Sequence, residues 1–531
     1  RDKNKRSLMA KVANKYSKKI YVTDDNPRNE DPDKIRNEII RNIDRKKCFN
    51  IGSRAMAIKK AIINSDQNGV VLIAGKGHEN KQIYKNKILH ISDKQIIKNI
   101  KLKIKLLPKK KKNYLQNKLI LNKILRNINV DDFEGIAIDS RIVKKNNLFL
   151  TLKGKNNDGR KFISNALKKG AKYIVSSSVL KKYKKITIKV KNEISFLNQF
   201  AKLKRENTLA KIIAITGSAG KTSLKNLINE LLQNFDKTHC SPKSFNNHFG
   251  VPISLSNLSA EDKYGVFEVG MSKAGEIGKL SKLIQPHIGV ITNIAEAHIE
   301  NFKNIQEIAK AKAEIINTIK ENGTIVLNRD DKFFNFFYKK SKLKKLKIVT
   351  FGKNQASDVR LLKSEKKGKN LTKFFLKVKN EKLDLDLKNI NIYNVLASLA
   401  IIKEINLNLK NINRNLKHLE PTEGRGKIHS VKRYNKKFVL IDESYNANPM
   451  SVKNAINTFD EIKKKQFKKY LILGDMLELG SKSEKYHKDL SKVINNSNID
   501  KVFIKGEKTL FTYKNLHKSK QGNILQNKDD I

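Results

Sequence analysis

The chain is 531 residues long and carries 112 Lys and Arg against 51 Asp and Glu, a formal net charge of +61, a length that suits about three to four domains. The excess is mostly lysine, spread along the whole chain among Asn and Ile rather than arginine gathered with aromatics. It therefore reads as solvated surface and argues against a nucleic-acid partner. Two cysteines, Cys48 and Cys240, exclude a disulfide framework and a cysteine metal site, and no apolar run approaches the ~18 residues of a membrane span.

No signal peptide is visible. The chain opens on Arg1 rather than Met, so the expectation is a start inside a longer protein. Residues 1–100 alternate strand-like and helix-like runs: "KKIYVTDD", "DPDKIRNEIIRNI", "AMAIKKAII" and "NGVVLIAGKGHE". Short apolar strands between amphipathic helices predict a parallel α/β layer. The loop "VTDDNPRNED" follows its first strand with acids, an amide, a proline and an arginine, a mixture suited to a zwitterionic ligand. Residues 101–118 hold Pro108 and a lysine block and read as a basic, solvated linker.

A second small α/β unit is expected over 119–205, with strands in "GIAIDSR", "NNLFLTLKG" and "GAKYIVSSS". A third, over 206–414, opens with the strand "KIIAITG". The helix after it, "SLKNLINELLQNF", puts Leu224, Leu227, Ile228, Leu231, Leu232 and Phe235 on one face. Further strands are "GVFEVG", "HIGVITNI" and "TIVLN". A fourth unit, 415–531, offers "KFVLIDES", "YLILGDM" and "KVFIKG" between helical segments.

"GSAGKTS", Gly217, Ser218, Ala219, Gly220, Lys221, Thr222 and Ser223, lies between that strand and that helix. Glycines let backbone N–H groups approach phosphate oxygens, a helix N-terminus adds partial positive charge, and Lys221 adds a full one. Thr222 is placed to offer its hydroxyl to Mg²⁺. The longer phosphate-loop pattern wants glycine where Ile215 stands, so this is the shorter G-x-x-G-K-T form of an ATP site. Glu268 is expected to end the strand of "FEVGMSKAGEIG", and His298 that of "VITNIAEAHIENF". Strand ends in an open parallel sheet face one crevice, where both could complete a magnesium site. Lys310 and Lys312, in "IAKAKAEI", read on pattern alone as an exposed helix face.

Together, "AITGSAGKTSLKN", "NNHFGVP", "FEVGMSKAGEIG", "TNIAEAHIENF", "IDESYNANPMSVKNAI" and "LGDMLELGSKSEKYH" resemble the Mur ligases of bacterial cell-wall synthesis over about residues 119–531, in particular the branch that adds D-alanyl-D-alanine to UDP-N-acetylmuramoyl-tripeptide. "RDKNKRSLM", "TDDNPR", "GSRAMAI" and "VLIAGKGHE" resemble the last domain of the branch that adds meso-diaminopimelate. The resemblance implies a multidomain α/β architecture. It has a small uridine-binding domain, a central P-loop ATPase-like parallel-sheet domain and a Rossmann-like last domain, preceded by an extra Rossmann-like ligase C-terminal domain. It implies ATP and Mg²⁺ as cofactors, a cytoplasmic enzyme, and ligation through an acyl phosphate.

Site residues follow from the same resemblance. Thr222, Glu268, His298 and a carbamylated Lys312 hold or surround magnesium, and Lys221 and Arg425 neutralise phosphate. Asn391 and Asn394 lie on the adenine side, where Lys388 and Ile390 replace the family's glycine and histidine. Glu443 stands at a carboxylate position beside Asp442. Asn246, Asn247, Tyr445, Asn446 and Asn448 border substrate, and Asp139, Ser140 and Arg141 meet its uridine end. In residues 1–100, Arg1, Asp25, Asn26, Pro27, Arg28, Gly75 and Glu79 match the diaminopimelate contacts; that segment is expected to bind without catalysing alone, with the missing upstream part of that ligase as a partner. A late "K-G-S-R"-like segment is absent, so a chain cut at both ends is expected. Other readings stay open on sequence: a folylpolyglutamate synthetase-like ligase, a lysine-rich nucleic-acid-binding ATPase, or a non-catalytic fusion product.

Overall fold

The computed structural model describes residues 4–527 apart from 64, 66–69, 76–78, 91, 95, 98–108, 126–129, 155–156, 180, 368–370, 389, 410–411, 413–420, 422, 434 and 463–466. Two compact units result, Arg1–Lys112 and Asn113–Ile531. The expected boundaries at 100/101 and 414/415, and Arg1 itself, lie outside the described residues. No helix among the described residues is long and apolar enough to cross a membrane.

In the first unit, β1 (Ile20–Val22) pairs in parallel with β2 (Cys48–Asn50), and β3 (Lys81–Tyr84) forms an antiparallel hairpin with β4 (Lys87–His90). The helix Pro32–Ile40 begins where the sequence commands it: Asp31 accepts the Asp33 N–H at 2.8 Å, and Pro32 opens the first turn. Ala10, Ile20, Val22 and Ile43 form a small core. The strand expected in "NGVVLIAGKGHE" is not there. Residues 70–74 join no ladder, Val70 and Leu72 are exposed, and the Ala74 carbonyl instead accepts from Arg54 Nη2 at 3.1 Å. An apolar run becomes a strand only where an edge receives its backbone.

The helix Lys109–Leu125, most of which lies in the second unit, stands where the sequence suggested linker up to residue 118. Its apolar positions explain the difference: Ile120 and Leu121 are buried, and Asn117 donates to the carbonyls of Phe133 and Glu134 at 3.1 and 2.9 Å. Next comes a four-stranded parallel sheet of β5 (Gly135–Ala137), β6 (Asn147–Leu150), β7 (Ala171–Ser176) and β8 (Thr187–Lys189). Asn257 ties this sheet to the next domain, accepting the Ile136 N–H and donating to the Ile136 carbonyl, both at 2.9 Å.

The central sheet has nine strands: β9 (Lys211–Thr216), β10 (Thr238–Cys240), β11 (Tyr264–Glu268), β12 (Ile288–Ile291), β13 (Thr324–Asn328), β14 (Lys347–Gly352), β15 (Val359–Lys366), β16 (Leu371–Val378) and β17 (Glu381–Lys388). Their order is 10-11-9-12-13-14-15-16-17, parallel up to the β14–β15 pair and antiparallel beyond. The chain leaves β9 in one direction for β10 and β11 and returns on its other side as β12, which opens a crevice at the carboxyl end of β9. The expected helix face is buried as the 3.6-residue period requires: Leu224, Leu227, Ile228, Leu231 and Leu232 pack against Ile213, Ile215, Val395 and Leu399, with Phe235 at the margin.

In the last domain β20 (Tyr470–Gly474), β21 (Lys501–Lys505) and β22 (Gln521–Ile524) form a parallel sheet. "KFVLIDES" does not join it. As β19 (Lys436–Asp442) it folds back on β18 (Lys427–Arg433), with Arg433 opposite Lys436 and Asn435 at φ 53 in the tight turn that this pairing favours.

Candidate active site

Strand β9 delivers Gly217–Thr222 to the crevice, and the helix Lys221–Gln233 starts immediately after Gly220. Two glycines are obligatory here. Gly217 sits at φ 148 with its missing Cβ aimed into Thr292, and Gly220 at φ 80 leaves no more than 3.1 Å to the Asn394 amide oxygen. The loop is held from behind by the end of β12. The Ala219 N–H donates to Asn293 Oδ1 and the Ser218 N–H to the Asn293 carbonyl, both at 2.9 Å, while Thr292 Oγ1 donates to the Ala219 carbonyl at 2.7 Å. Pattern reading missed Thr292 and Asn293; the signal available was two polar residues directly following the apolar strand "GVI".

Two lysines converge on one carbonyl. Lys221 Nζ donates to Gly217 O at 2.8 Å and Lys312 Nζ to the same oxygen at 3.1 Å. Lys312 is therefore not the exposed helix residue its pattern suggested, whereas Lys310 is exposed. Burial, reinforced by the Lys221 charge, holds the Lys312 amine well below the usual lysine range. Burial likewise lowers Lys221, the Glu268 charge opposes it, and the Arg425 charge adds to it.

Glu268 ends β11 as expected, buried at 1 % exposure. Its carboxylate accepts from Thr222 Oγ1 at 2.6 Å and from Asn246 Nδ2 at 2.7 Å, and Ser244 Oγ lies 3.1 Å from Thr222 Oγ1. Asn247 has a local task, its side chain capping the helix Gly250–Ser256 through the N–H groups of Phe249 and Gly250. His298 does not end a strand. β12 stops at Ile291, and His298 lies on the following loop at φ 59, its Nδ1 against the Glu478 carboxylate of the last domain. Burial pushes the imidazole down, Glu478 pulls it up, and Lys221 and Lys312 lower it further.

From the last domain, Arg425 stacks its guanidinium 4.3 Å over the Tyr445 ring. The turn that carries it is locked to the "DES" turn. Asp442 accepts the Gly424 N–H at 2.9 Å and the Ser444 hydroxyl at 2.6 Å, and the Gly426 N–H donates to the Asp442 carbonyl at 2.7 Å. Glu443 Oε1 would lie 3.1 Å from a Cβ on Gly426; partial enclosure raises its carboxyl, against the pull of Arg425. Asn448 forms a capping box with Ser451 at the start of the helix Pro449–Asp460, Asn446 accepts the neighbouring Ala447 N–H, and Tyr445 stays exposed. Asn391 caps the helix Ile392–Glu404 through the Tyr393 N–H at 2.9 Å.

In the small domain Asp139 caps the turn Ser140–Ile142 and pairs with Arg141; Asp158 and Arg160 repeat the device one strand later. The Arg160 partner holds the Asp158 carboxyl down at about 2. Asn165, just past the second turn, donates to Ser140 Oγ at 3.3 Å, so the two turns share one corner. In the first unit Asn26 Nδ2 donates to Glu79 at 2.5 Å, Asp25 lies 3.3 Å from where a Cβ on Gly75 would sit, Pro27 is buried, and Arg28 is exposed at φ 54. Asn26 thus meets Glu79 and Asp25 lies against Gly75, while Arg28 bridges to Tyr84.

Comparison with known proteins matches this architecture segment by segment. The Mur ligase family catalytic domain matches 132–205, the Mur ligase middle domain 215–402, and the Mur ligase glutamate ligase domain both 1–77 and 425–523. A UDP-N-acetylmuramoyl-tripeptide–D-alanyl-D-alanine ligase of Rickettsia prowazekii is 34% identical over 385 residues, 71% of this chain and 84% of that protein. The chain belongs to the Mur ligase family. Among solved Mur ligases, a MurF from Acinetobacter baumannii superposes at a TM-score of 0.67, with 26% identity over 76% of this chain and 88% of that one. A MurF from Thermotoga maritima in complex with ADP gives 0.62, with 25% identity over 74% and 88%. The glutamate ligase domain thus occurs twice in this Mur ligase, once in each compact unit.

Proposed function

We propose that residues 113–531 ligate D-alanyl-D-alanine to UDP-N-acetylmuramoyl-tripeptide at the expense of ATP, in the cytoplasmic assembly of peptidoglycan precursors. The observation that carries this reading is the glycine loop bearing Lys221 with the buried Thr222–Glu268 pair beside it, bonded at 2.6 Å; Arg425, on the last domain, adds a charge that lowers Lys221. A hydroxyl and a carboxylate are hard oxygen donors, and buried side by side they fit Mg²⁺. Thr222 and Glu268 would hold the ion, which when bound neutralises phosphate charge.

The chain's own residues then divide the work. Lys221 and Arg425 draw charge off the triphosphate. A carboxylate oxygen of the tripeptide attacks the γ-phosphorus, its bond to the ADP oxygen breaks, and an acyl phosphate forms. The dipeptide amine then attacks the acyl carbon; the C–N bond forms, the C–O bond to phosphate breaks, and a proton leaves the nitrogen. Glu443, whose carboxylate lies against Gly426 next to Arg425, would orient that amine. Asn394, against Gly220, borders the nucleotide. Burial favours the uncharged Lys312 amine, the form that reacts with CO₂, which supports a carbamate there.

Residues 1–100 form, on the same reading, a second amino-acid-binding module with specificity for meso-diaminopimelate. Arg28 faces solvent, where it can grip a carboxylate bidentately, and Asp25 and Glu79 offer charge to an ammonium. The deciding experiment for the ligase reading measures ADP release with the tripeptide nucleotide, with and without D-alanyl-D-alanine. Release that requires both supports the reading; release driven by DNA or RNA, or none at all, refutes it.

A further inference from the structure

The segment "LGDMLELGSKSEKYH" has no role in the scheme above, yet it forms a seam between the last domain and the central one. It follows β20 as a loop that is fixed from its own side. His487, fully buried on the helix Ser483–Asn495, accepts the Met476 N–H on Nε2 at 3.0 Å, so its proton sits on Nδ1, which faces the Ser483 carbonyl at 2.8 Å. Asp475 accepts the Thr509 N–H at 2.8 Å. Met476 and Leu479 are buried in one apolar cluster with Ile299 and Phe302 of the central domain. Across the seam the Glu300 N–H donates to the Glu478 carbonyl at 3.3 Å. Gly480, at φ 57, comes so close that a Cβ there would stand 3.0 Å from Glu300 Cβ.

At the centre of the seam two residues hold an unusual backbone, Glu478 at φ 61 and His298 at φ 59. Left-handed backbone away from glycine persists only where surroundings over-determine it. Here each turn aims its side chain at the other, the Glu478 carboxylate against His298 Nδ1. The charges of Lys221 and Lys312 also lower the imidazole.

We propose that Glu478 is a positioning residue for the transfer reaction: from the last domain it fixes His298 of the central domain, so that seating the domain that carries Arg425 and ordering the nucleotide pocket become one event. This rests on the ligase reading above. Glu478 would act through His298 and the domain seam, without touching ATP.

The test uses the full chain with Glu478→Ala and Glu478→Gln. Glu478→Ala is expected to lower kcat at least tenfold with KM for ATP within about twofold. Glu478→Gln, which keeps a polar side chain of nearly the same shape against His298, is expected to recover most of the loss. Hydrogen–deuterium exchange of the peptide covering 298–302 should quicken in the alanine variant and not in the glutamine variant. A kcat for Glu478→Ala within twofold of the parent, or unchanged exchange at 298–302, overturns the proposal. A parent chain without ligation refutes the ligase reading instead, and the exchange arm then decides the seam by itself.

Discussion

Removing the Glu268 carboxylate separates its structural task from its chemical one. In Glu268→Ala the Thr222 hydroxyl and the Asn246 amide, bonded to it at 2.6 and 2.7 Å, both lose their acceptor in a pocket where Glu268 itself is 1 % exposed. A buried donor left unpaired costs about 1–3 kcal/mol, which bounds the loss at about 2–6 kcal/mol. Thr222 can turn toward Ser244 Oγ, 3.1 Å away, so the lower part of that range, about 2–4 kcal/mol, is expected. Glu268→Gln keeps one acceptor and nearly the same volume, and should lose less than about 1.5 kcal/mol. Yet the glutamine has no charge for a cation, and it removes the field that opposes the lowering of Lys221. Urea unfolding monitored by circular dichroism gives the stabilities, and magnesium titration of ATP turnover gives the metal requirement. The expected result is a stable glutamine variant needing at least tenfold more magnesium. Parental magnesium dependence in Glu268→Gln would refute the reasoning.

Three further outcomes follow from the same geometry. Arg425→Ala should lower kcat by about 10²–10³, the cost of losing one preorganised charge at a developing anion, while KM for ATP changes little; parallel losses in both would argue against a charge delivered by the last domain. ¹³C-bicarbonate should give the protein a carbamate resonance that Lys312→Met abolishes, because burial shifts the Lys312 amine toward its uncharged, reactive form; no signal in the parent removes the carbamate from the account. Lys204, 1 % exposed and donating to Gln116 at 3.1 Å, is lowered by burial to about 7 from 10.5. Between those pH values the unfolded chain binds a proton that the folded chain does not, so stability rises with pH there by at most about 1.4 kcal/mol per unit. Lys204→Met should flatten that rise in denaturant midpoints across the range; an unchanged slope would place the titration elsewhere.

Where local chemistry dictates the outcome, the sequence is readable. A 3.6-residue apolar period buries Leu224, Leu227, Ile228, Leu231 and Leu232 wherever the helix lies, and a glycine loop between strand and helix faces phosphate in most settings. What depends on distant partners is not readable. Residues 70–74 look like a strand but need an edge, β19 looks like a sheet strand but meets β18 first, and Lys109–Leu125 becomes helix because Ile120 and Leu121 find a core. The burial of Lys312 follows from its carbonyl partner 95 residues away, and no pattern within its own helix reports it. The same holds for Glu478, whose partner His298 belongs to another domain.

The most direct test of the central claim is an isotope transfer. Tripeptide nucleotide labelled with ¹⁸O in its terminal carboxylate is incubated with ATP, magnesium and D-alanyl-D-alanine, and the inorganic phosphate and peptide product are weighed by mass spectrometry. Activation of that carboxylate by the γ-phosphate predicts one ¹⁸O in each phosphate released and a product extended by the dipeptide. Unlabelled phosphate, or ATP consumed without the extended product, would contradict it.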